Sequence, residues 1–290
     1  SGLGFFVDQR GPGTFEQLTA EQPAGTGGFK ALLVASTEGG YGLAVMTNGE
    51  GGGTLADELL RGAAQLYGWK EFIPPRVKQA RLSPGQLRAL AGRYRLGSDE
   101  VLVFEAGAGV LRGRSLLGDP FELYPVAADA FLRLDPPGRY LLDGVGLEVE
   151  TPSVEARGPR LEKGETVPLE MLLGGNVAGA QAAYRRLRQI ENGDPAISEA
   201  RLNELGYELL ARAPDKALVI FRLATEFYPD SPNAWDSLGE ALLAGGKKAE
   251  ALDCYRKVVA LLSREGTLPS TARVLIRLNA EAKVRQLEGR

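Results

Sequence analysis

The feature that most constrains the fold is an internal repeat in the last third of the chain. Leu205-Gly206 and Leu238-Gly239 lie 33 residues apart, and Ala217/Ala251 and Phe221/Tyr255 lie 34 apart. Leu202 and Trp235 precede the two Leu-Gly pairs by three residues, and Leu209 and Leu242 follow them by four. A period of this size, with helical spacing inside it, specifies stacked helix-turn-helix units that bury their apolar faces on one another. Gly and Ala allow two helices to approach closely, and the Trp and aromatic positions fill the space between them. Pro229-Asp230-Ser231-Pro232 separates the two units. Asn176 to Asn192 reads as the second helix of a degenerate leading unit, and Arg273 to Leu287 as a capping helix.

The texture upstream is different. Gly2 to Gln9, Phe29 to Ala35 and Gly42 to Thr47 read as strands, the last two joined at a Glu38-Gly39-Gly40 turn. The two later strands are almost continuously apolar, which predicts a sheet covered on both faces. Asn48 to Gly53 is a glycine-rich turn; it lacks the Gly-Lys-Ser/Thr ending of a phosphate loop, and Glu50 would repel an anion. Thr54 then caps a predicted helix whose apolar face carries Leu55, Leu59, Leu60, Ala63 and Leu66. Gly68 and Pro74-Pro75 end it.

From Ser83 to Glu170 a short helix leads into β segments spaced about ten residues apart, at Val101–Glu105, Val110–Gly113, Phe121–Pro125, Ala130–Leu134 and Arg139–Leu142. Even spacing predicts an antiparallel meander or small barrel. Thr151 to Lys163 reads as an edge or linker. The expected fold class is therefore α+β: an antiparallel sheet with a helix, a small β-meander or barrel, and a C-terminal α-helical repeat. Its expected divisions are residues 1–75, 82–170 and 175–290.

Composition excludes several chemistries. The chain has no histidine and a single cysteine, Cys254, so His-based triads, imidazole zinc sites and intrachain disulfides cannot form within its 290 residues. A net charge of -3 argues against a nucleic-acid surface. No apolar run approaches the roughly 18 residues that span a bilayer. No cofactor or metal is expected. Asp57-Glu58, Asp143, Glu148 and Glu150 show no paired arrangement and read as solvated faces.

Two family resemblances add to this reading. The helical unit resembles the tetratricopeptide repeat, whose positions fall on Trp235, Leu238-Gly239, Ala251 and Tyr255; the preceding unit matches with one residue fewer between its helices. That resemblance implies a protein or peptide partner for residues 175–290, held by side chains exposed on one face.

The first quarter resembles the C-terminal end of serine β-lactamase and penicillin-binding-protein-like hydrolases of the class C and esterase branch. The resemblance rests on Gly2-Leu3-Gly4-Phe5-Phe6-Val7, Gly28 to Val34, Leu43 to Gly49 and Leu66-Tyr67-Gly68-Trp69. The middle region is similar to the β-rich accessory domain that follows such enzymes, through Leu90 to Tyr94 and Phe121 to Pro125. The hydrolase resemblance implies ester, amide or peptidoglycan-related hydrolysis by residues upstream of Ser1-Gly2, which reads as a cut end, and a periplasmic or secreted location. It also places an active-site motif, His-x-Gly or Lys-Thr-Gly, just before Gly28-Phe29. Gln22 falls where the His would stand, and Gly25-Thr26-Gly27 carries a Thr-Gly without the Lys, a string that serves equally as turn material.

No Ser is followed three residues later by Lys, and no Tyr two residues later by Asn or Ser, so this chain holds no catalytic residues for an acyl-enzyme. If residues 2 to 69 are a fragment, their sheet is expected to expose Phe5, Leu33 or Val45, or else to be covered by a rearranged neighbour. A reactive serine-hydrolase probe is expected to leave the purified chain unlabelled; stoichiometric labelling of any serine would contradict this reading.

Overall fold

The computed structural model describes residues 6–10, 13–21, 30–37, 39–49, 52–73, 77–134, 137–151, 155–190, 194–263 and 271–289. It divides into two compact units, one of residues 1–80 with 134–138, the other of residues 81–133 with 139–290.

The first unit contains β1 (Phe6–Arg10), β2 (Gly13–Glu21), β3 (Lys30–Ser36), β4 (Gly42–Thr47) and α1 (Gly52–Tyr67). The strands form an antiparallel sheet in the order β1-β2-β3-β4. Strand β2 is one more than the sequence pattern predicted. Its Glu, Gln and Thr content hides it, and what secures it is backbone pairing with β3, from Phe15↔Ser36 to Glu21↔Lys30.

Alternation along β3 turns Leu32 and Val34 to one face, where they meet Val45, Ala56, Leu60, Ala64 and Phe72 in a small core. Two expectations change here. Of the predicted helix face only Leu60 is buried, while Leu55, Leu59 and Leu66 are 47%, 49% and 77% exposed. Ala56 and Ala64 instead face the sheet, because small side chains let the helix sit close to the branched residues of β3 and β4. The sheet is also not covered on both faces by the described residues: Met46, on the face opposite Val45, is 84% exposed. Leu33 is half-buried and Val45 is buried; Phe5 lies outside the described residues.

The second unit opens with α2 (Pro84–Leu90), started by a capping box in which Ser83 accepts from the Gln86 amide while the Gln86 side chain accepts from the Ser83 amide. An eight-stranded antiparallel sheet follows in sequence order: β5 (Gly92–Arg95), β6 (Val101–Ala106), β7 (Leu111–Ser115), β8 (Phe121–Pro125), β9 (Ala130–Leu134), β10 (Pro137–Leu142), β11 (Gly146–Glu150) and β12 (Glu155–Pro159). The stretch read as an edge or linker thus contains the last strand of the sheet. The two ends of the sheet nearly meet: the Leu161 amide donates to the Arg93 carbonyl at 2.7 Å, and Tyr94 bridges to Arg160. The Arg160 guanidinium donates to the Ala89, Ala91 and Gly144 carbonyls, tying the edges that open sheets leave unpaired. Inside, Tyr94, Phe104, Leu123, Phe131 and Leu142 are buried to 2% exposure or less, with Phe104 edge-on to Tyr94 at 5.7 Å and to Tyr140 at 6.4 Å.

The remaining elements are helices: α3 (Pro168–Leu173), α4 (Val177–Arg188), α5 (Glu199–Leu210), α6 (Pro214–Phe227), α7 (Pro232–Ala244), α8 (Lys248–Ser263) and α9 (Thr271–Leu287). Asn176, Ser198 and Ser231 cap α4, α5 and α7 by accepting from first-turn amides. The repeat residues are the core: Leu202, Leu205, Leu209, Ala217, Phe221, Ala251 and Tyr255 are fully buried. A Cβ placed on Gly206 would lie 2.4 Å from the Phe221 ring, and one on Gly239 3.0 Å from the Tyr255 ring. Gly206→Ala is therefore expected to destabilise the helical region by about 1–3 kcal/mol, and Gly239→Ala by less. Urea unfolding followed by far-UV circular dichroism checks the order, and equal midpoints for the two variants would contradict it.

Candidate partner-binding face

The close approach at Gly206 and Gly239 folds α5 onto α6 and α7 onto α8 as antiparallel pairs, and it also decides which helices become neighbours between pairs. Helix α5 adjoins α7, and α7 adjoins α9, so the first helices of successive units form one layer. The C-terminal helices form a tetratricopeptide-like array.

The layer of α4, α6 and α8 is stitched by ion pairs. Arg185 forks onto Glu226 at 2.7 and 2.8 Å, and Arg222 reaches Glu250 at 2.5 Å. Both pairs are about half exposed, so each contributes little to stability while matching one unit to the next.

The α5–α7–α9 layer is polar in a different way. The Tyr207 hydroxyl lies 2.6 Å from Glu240 Oε2 and 3.2 Å from Ser237 Oγ, joining α5 to α7. Its ring stands edge-on to Phe221 at 5.2 Å. Burial raises the Tyr207 hydroxyl above the usual tyrosine range, and its bond to Glu240 adds to the rise. Asp236 is pushed up to about 6, first by burial and then by the charge of Glu240 one turn on, against the lowering influence of the Asn279 amide and Lys283 of α9. The Asn203 and Asp236 Oδ1 atoms are buried and have no hydrogen-bond partner in the protein. They occupy equivalent places, one residue after Leu202 and one after Trp235.

What orients this array on the β-sheet is a second polar node, formed within the same compact unit. Asp99, in the β5–β6 turn and only 9% exposed, accepts from the Leu169 amide of α3 and from the Tyr184 hydroxyl of α4, each at 2.5 Å. Beside it Arg93 of β5 forks onto Glu170 of α3 at 2.5 and 3.2 Å. Burial pushes the Asp99 carboxyl up to about 6, more than its two hydrogen bonds and Arg201 pull it down. A cleft of about 670 Å³ beside the node is lined by Glu100, Ser115, Arg201, Glu204 and Arg212.

The residues that the hydrolase resemblance singled out, Gln22, Gly25, Thr26 and Gly27, lie outside the described residues. Asp143 caps the β10–β11 turn by accepting from the Val145 and Gly146 amides, which holds its carboxyl below the usual range. Among the described residues no group of acidic or cysteine side chains could hold a metal ion, and Cys254 is buried in the helical core with its thiol pushed up to about 11 by burial. No helix of the described residues is long and apolar enough to cross a membrane. Asn203, Asp236, Glu240 and Asp99 were not singled out by sequence, and Tyr184 was read only as a packing residue of the leading unit's second helix. The equivalence of 203 and 236, visible once the repeat is aligned, was the signal available for the first two.

No family model matches the chain, and no curated protein matches it. Among solved structures it is similar to PcrH from Pseudomonas aeruginosa, at 16% identity and a TM-score of 0.29, over 42% of this chain and 86% of that one. PcrH has also been solved in complex with the chaperone-binding region of PopD. The TPR domain of Sgt2 from Aspergillus fumigatus is similar at 18% identity and a TM-score of 0.26, over 42% of this chain and 78% of that one. MamA follows at 17% identity and 0.23, over 43% and 76%. Likeness at these scores is too low to carry weight, and the helical array stands on its own buried repeat positions.

The raised Asp99 pKa has a definite sign. A carboxyl that titrates at about 6 when folded and near 3.8 when unfolded contributes stability that is complete below the unfolded value and is lost as pH rises through the folded one. Asp99→Asn keeps an acceptor for Leu169 and lets the Tyr184 hydroxyl accept in turn. It is expected to unfold near the wild-type temperature at pH 4.5 and above it at pH 8, by up to about 3 kcal/mol in stability. Thermal melts at the two pH values check this, and a variant weaker than wild type at pH 8 would contradict it.

Proposed function

We propose that this chain is a protein-binding module that takes a peptide segment of its partner along the α5–α7–α9 layer, with the eight-stranded sheet as the support that fixes the array. The observation that carries the reading is the polar cluster that α5 and α7 bring together on one side of the array. Tyr207 is 40% exposed and hydrogen-bonded to Glu240, and beside it lie the Asn203 and Asp236 Oδ1 atoms and the Tyr255 hydroxyl of α8, all buried without protein partners; ion pairs occur on both layers, Arg201–Glu204 and Arg277–Glu281 among them. Buried polar atoms left unpaired cost free energy unless something outside the fold supplies the missing bonds. A peptide backbone and its side chains supply donors at suitable intervals.

A second reading, in which residues 1–75 end a β-lactamase-like hydrolase domain completed upstream, has one observation in its favour. The first unit is an antiparallel sheet backed by a single helix, and that helix carries Leu55, Leu59 and Leu66 on its exposed side. The comparisons give that reading no support.

Selection from a random linear peptide library on the full chain tests the binding function. Selected peptides are expected to bind saturably, to lose about tenfold or more in affinity on Tyr207→Ala, and to be indifferent to Arg185→Ala on α4. Peptides that depend on Arg185 and ignore Tyr207 would place binding on the other layer and overturn the proposal.

A further inference from the structure

We propose that the first unit is a dimerisation surface whose partner is a second copy of this chain, with β4 paired to β4 across a two-fold axis and the two α1 helices packed side by side. Among the described residues β4 pairs only with β3, so it is an edge of the four-stranded sheet. Its sequence, Gly42-Leu43-Ala44-Val45-Met46-Thr47, holds no charge and no proline, the devices that normally keep an edge from pairing. The other edge, β1, carries Asp8 and Arg10. The Ser36 amide donates to the Tyr41 carbonyl, and the antiparallel ladder alternates from that pair. Leu43 and Val45 therefore turn their amides and carbonyls to β3, while those of Gly42, Ala44 and Met46 point outward from the edge.

Helix α1 carries the other half of the surface. Leu55, Leu59, Gly62 and Leu66 follow the alternating four- and three-residue spacing of a helix-pair seam, and the three leucines are exposed. The helix returns antiparallel to β4: Gly52 packs on the Thr47 side chain at one end, and Trp69 stacks on Tyr41 at 4.5 Å at the other. Ala56, Leu60 and Ala64 are turned down onto the sheet. With that side fixed, the right-handed course of the helix directs the leucine seam sideways, past β4 and away from β3.

Strand and helix call for the same axis. The midpoint of Tyr41 and Thr47 is Ala44, and the midpoint of Gly52 and Trp69 falls between Leu60 and Arg61, so one two-fold axis normal to the sheet at Ala44 serves both elements. About that axis Gly42 faces the partner's Met46 in the ladder. On the helices Leu55 meets the partner's Leu66, and Leu59 fills the notch left by the partner's Gly62. Helix α1 rests on β3 and β4 alike, which puts it one strand spacing from the axis. The two helices then lie about 9–10 Å apart, the separation at which helices pack. A patch that complements itself in this way is what an isologous interface requires.

Sedimentation equilibrium on the full chain tests the proposal. The wild type is expected to be a dimer in the micromolar range. Leu59→Lys and Ala44→Pro, both at exposed positions, are each expected to weaken the dimer about tenfold or more with the far-UV circular dichroism unchanged. Leu275→Lys, at an exposed leucine on α9, is expected to leave it within about twofold. Covalent capture reads the orientation, because Cys254 is buried and oxidation reports introduced thiols alone. Leu55→Cys combined with Leu66→Cys is expected to cross-link into a dimer. Leu66→Cys alone is not, since the two copies of residue 66 lie about 16 Å apart along the antiparallel helices. Cross-linking by Leu66→Cys alone would indicate parallel helices and overturn the proposal. A monomer throughout the micromolar range, or a dimer lost with Leu275→Lys and kept with Leu59→Lys, would also overturn it and leave the seam to another occupant.

Discussion

The contact on which the helical region depends is the seating of an aromatic ring against a glycine: Phe221 on Gly206 and Tyr255 on Gly239. With no Cβ in the way, each pair of helices closes to a distance at which leucines on both sides are fully buried. That distance sets the rotation from one pair to the next. Helices α5, α7 and α9 thereby become a layer, with Tyr207, Asp236, Glu240 and Asn279 brought together from three separate stretches of chain. The apolar packing supplies the stability, and the polar face follows from its geometry, with the Tyr207 ring resting on Phe221.

The second constraint is the junction with the eight-stranded sheet. Asp99 takes the amide at the start of α3 and the hydroxyl of Tyr184, and Arg93 clasps Glu170. A buried carboxylate is expensive unless its lone pairs are filled. Here they are filled by two different helices, so the node is satisfied only when both are docked. Leu116 and Leu117 of the β7–β8 turn pack against the helical core beside it. The array therefore has a defined base at its N-terminal end, which a free-standing pair of helical units would lack.

Sequence alone made the helical array legible because burial there follows spacing: Leu202, Leu205, Leu209 and their partners recur with the helix, and all are buried. The β segments between Val101 and Leu142 were legible for a similar reason, at turn-bounded intervals. What failed was a matter of which side faces what. Leu55, Leu59 and Leu66 mark a true helical stripe on α1, yet the sheet takes the Ala56 and Ala64 side, and spacing cannot choose between two apolar stripes. Strand β2 escaped because backbone pairing, not apolar alternation, holds it. The polar nodes escaped because each joins residues far apart in the chain, Asp99 with Tyr184 and Tyr207 with Glu240, and hydrophobic periodicity carries no record of such pairs.

The central claim is that the α5–α7–α9 layer is the face that receives a partner. Amide chemical-shift mapping of the isotope-labelled full chain, titrated with a saturating peptide, addresses it residue by residue. The account predicts perturbations concentrated at Asn203, Tyr207, Asp236, Glu240, Asn279 and Lys283. Perturbations confined to α4, α6 and α8, or to the eight-stranded sheet, would contradict it.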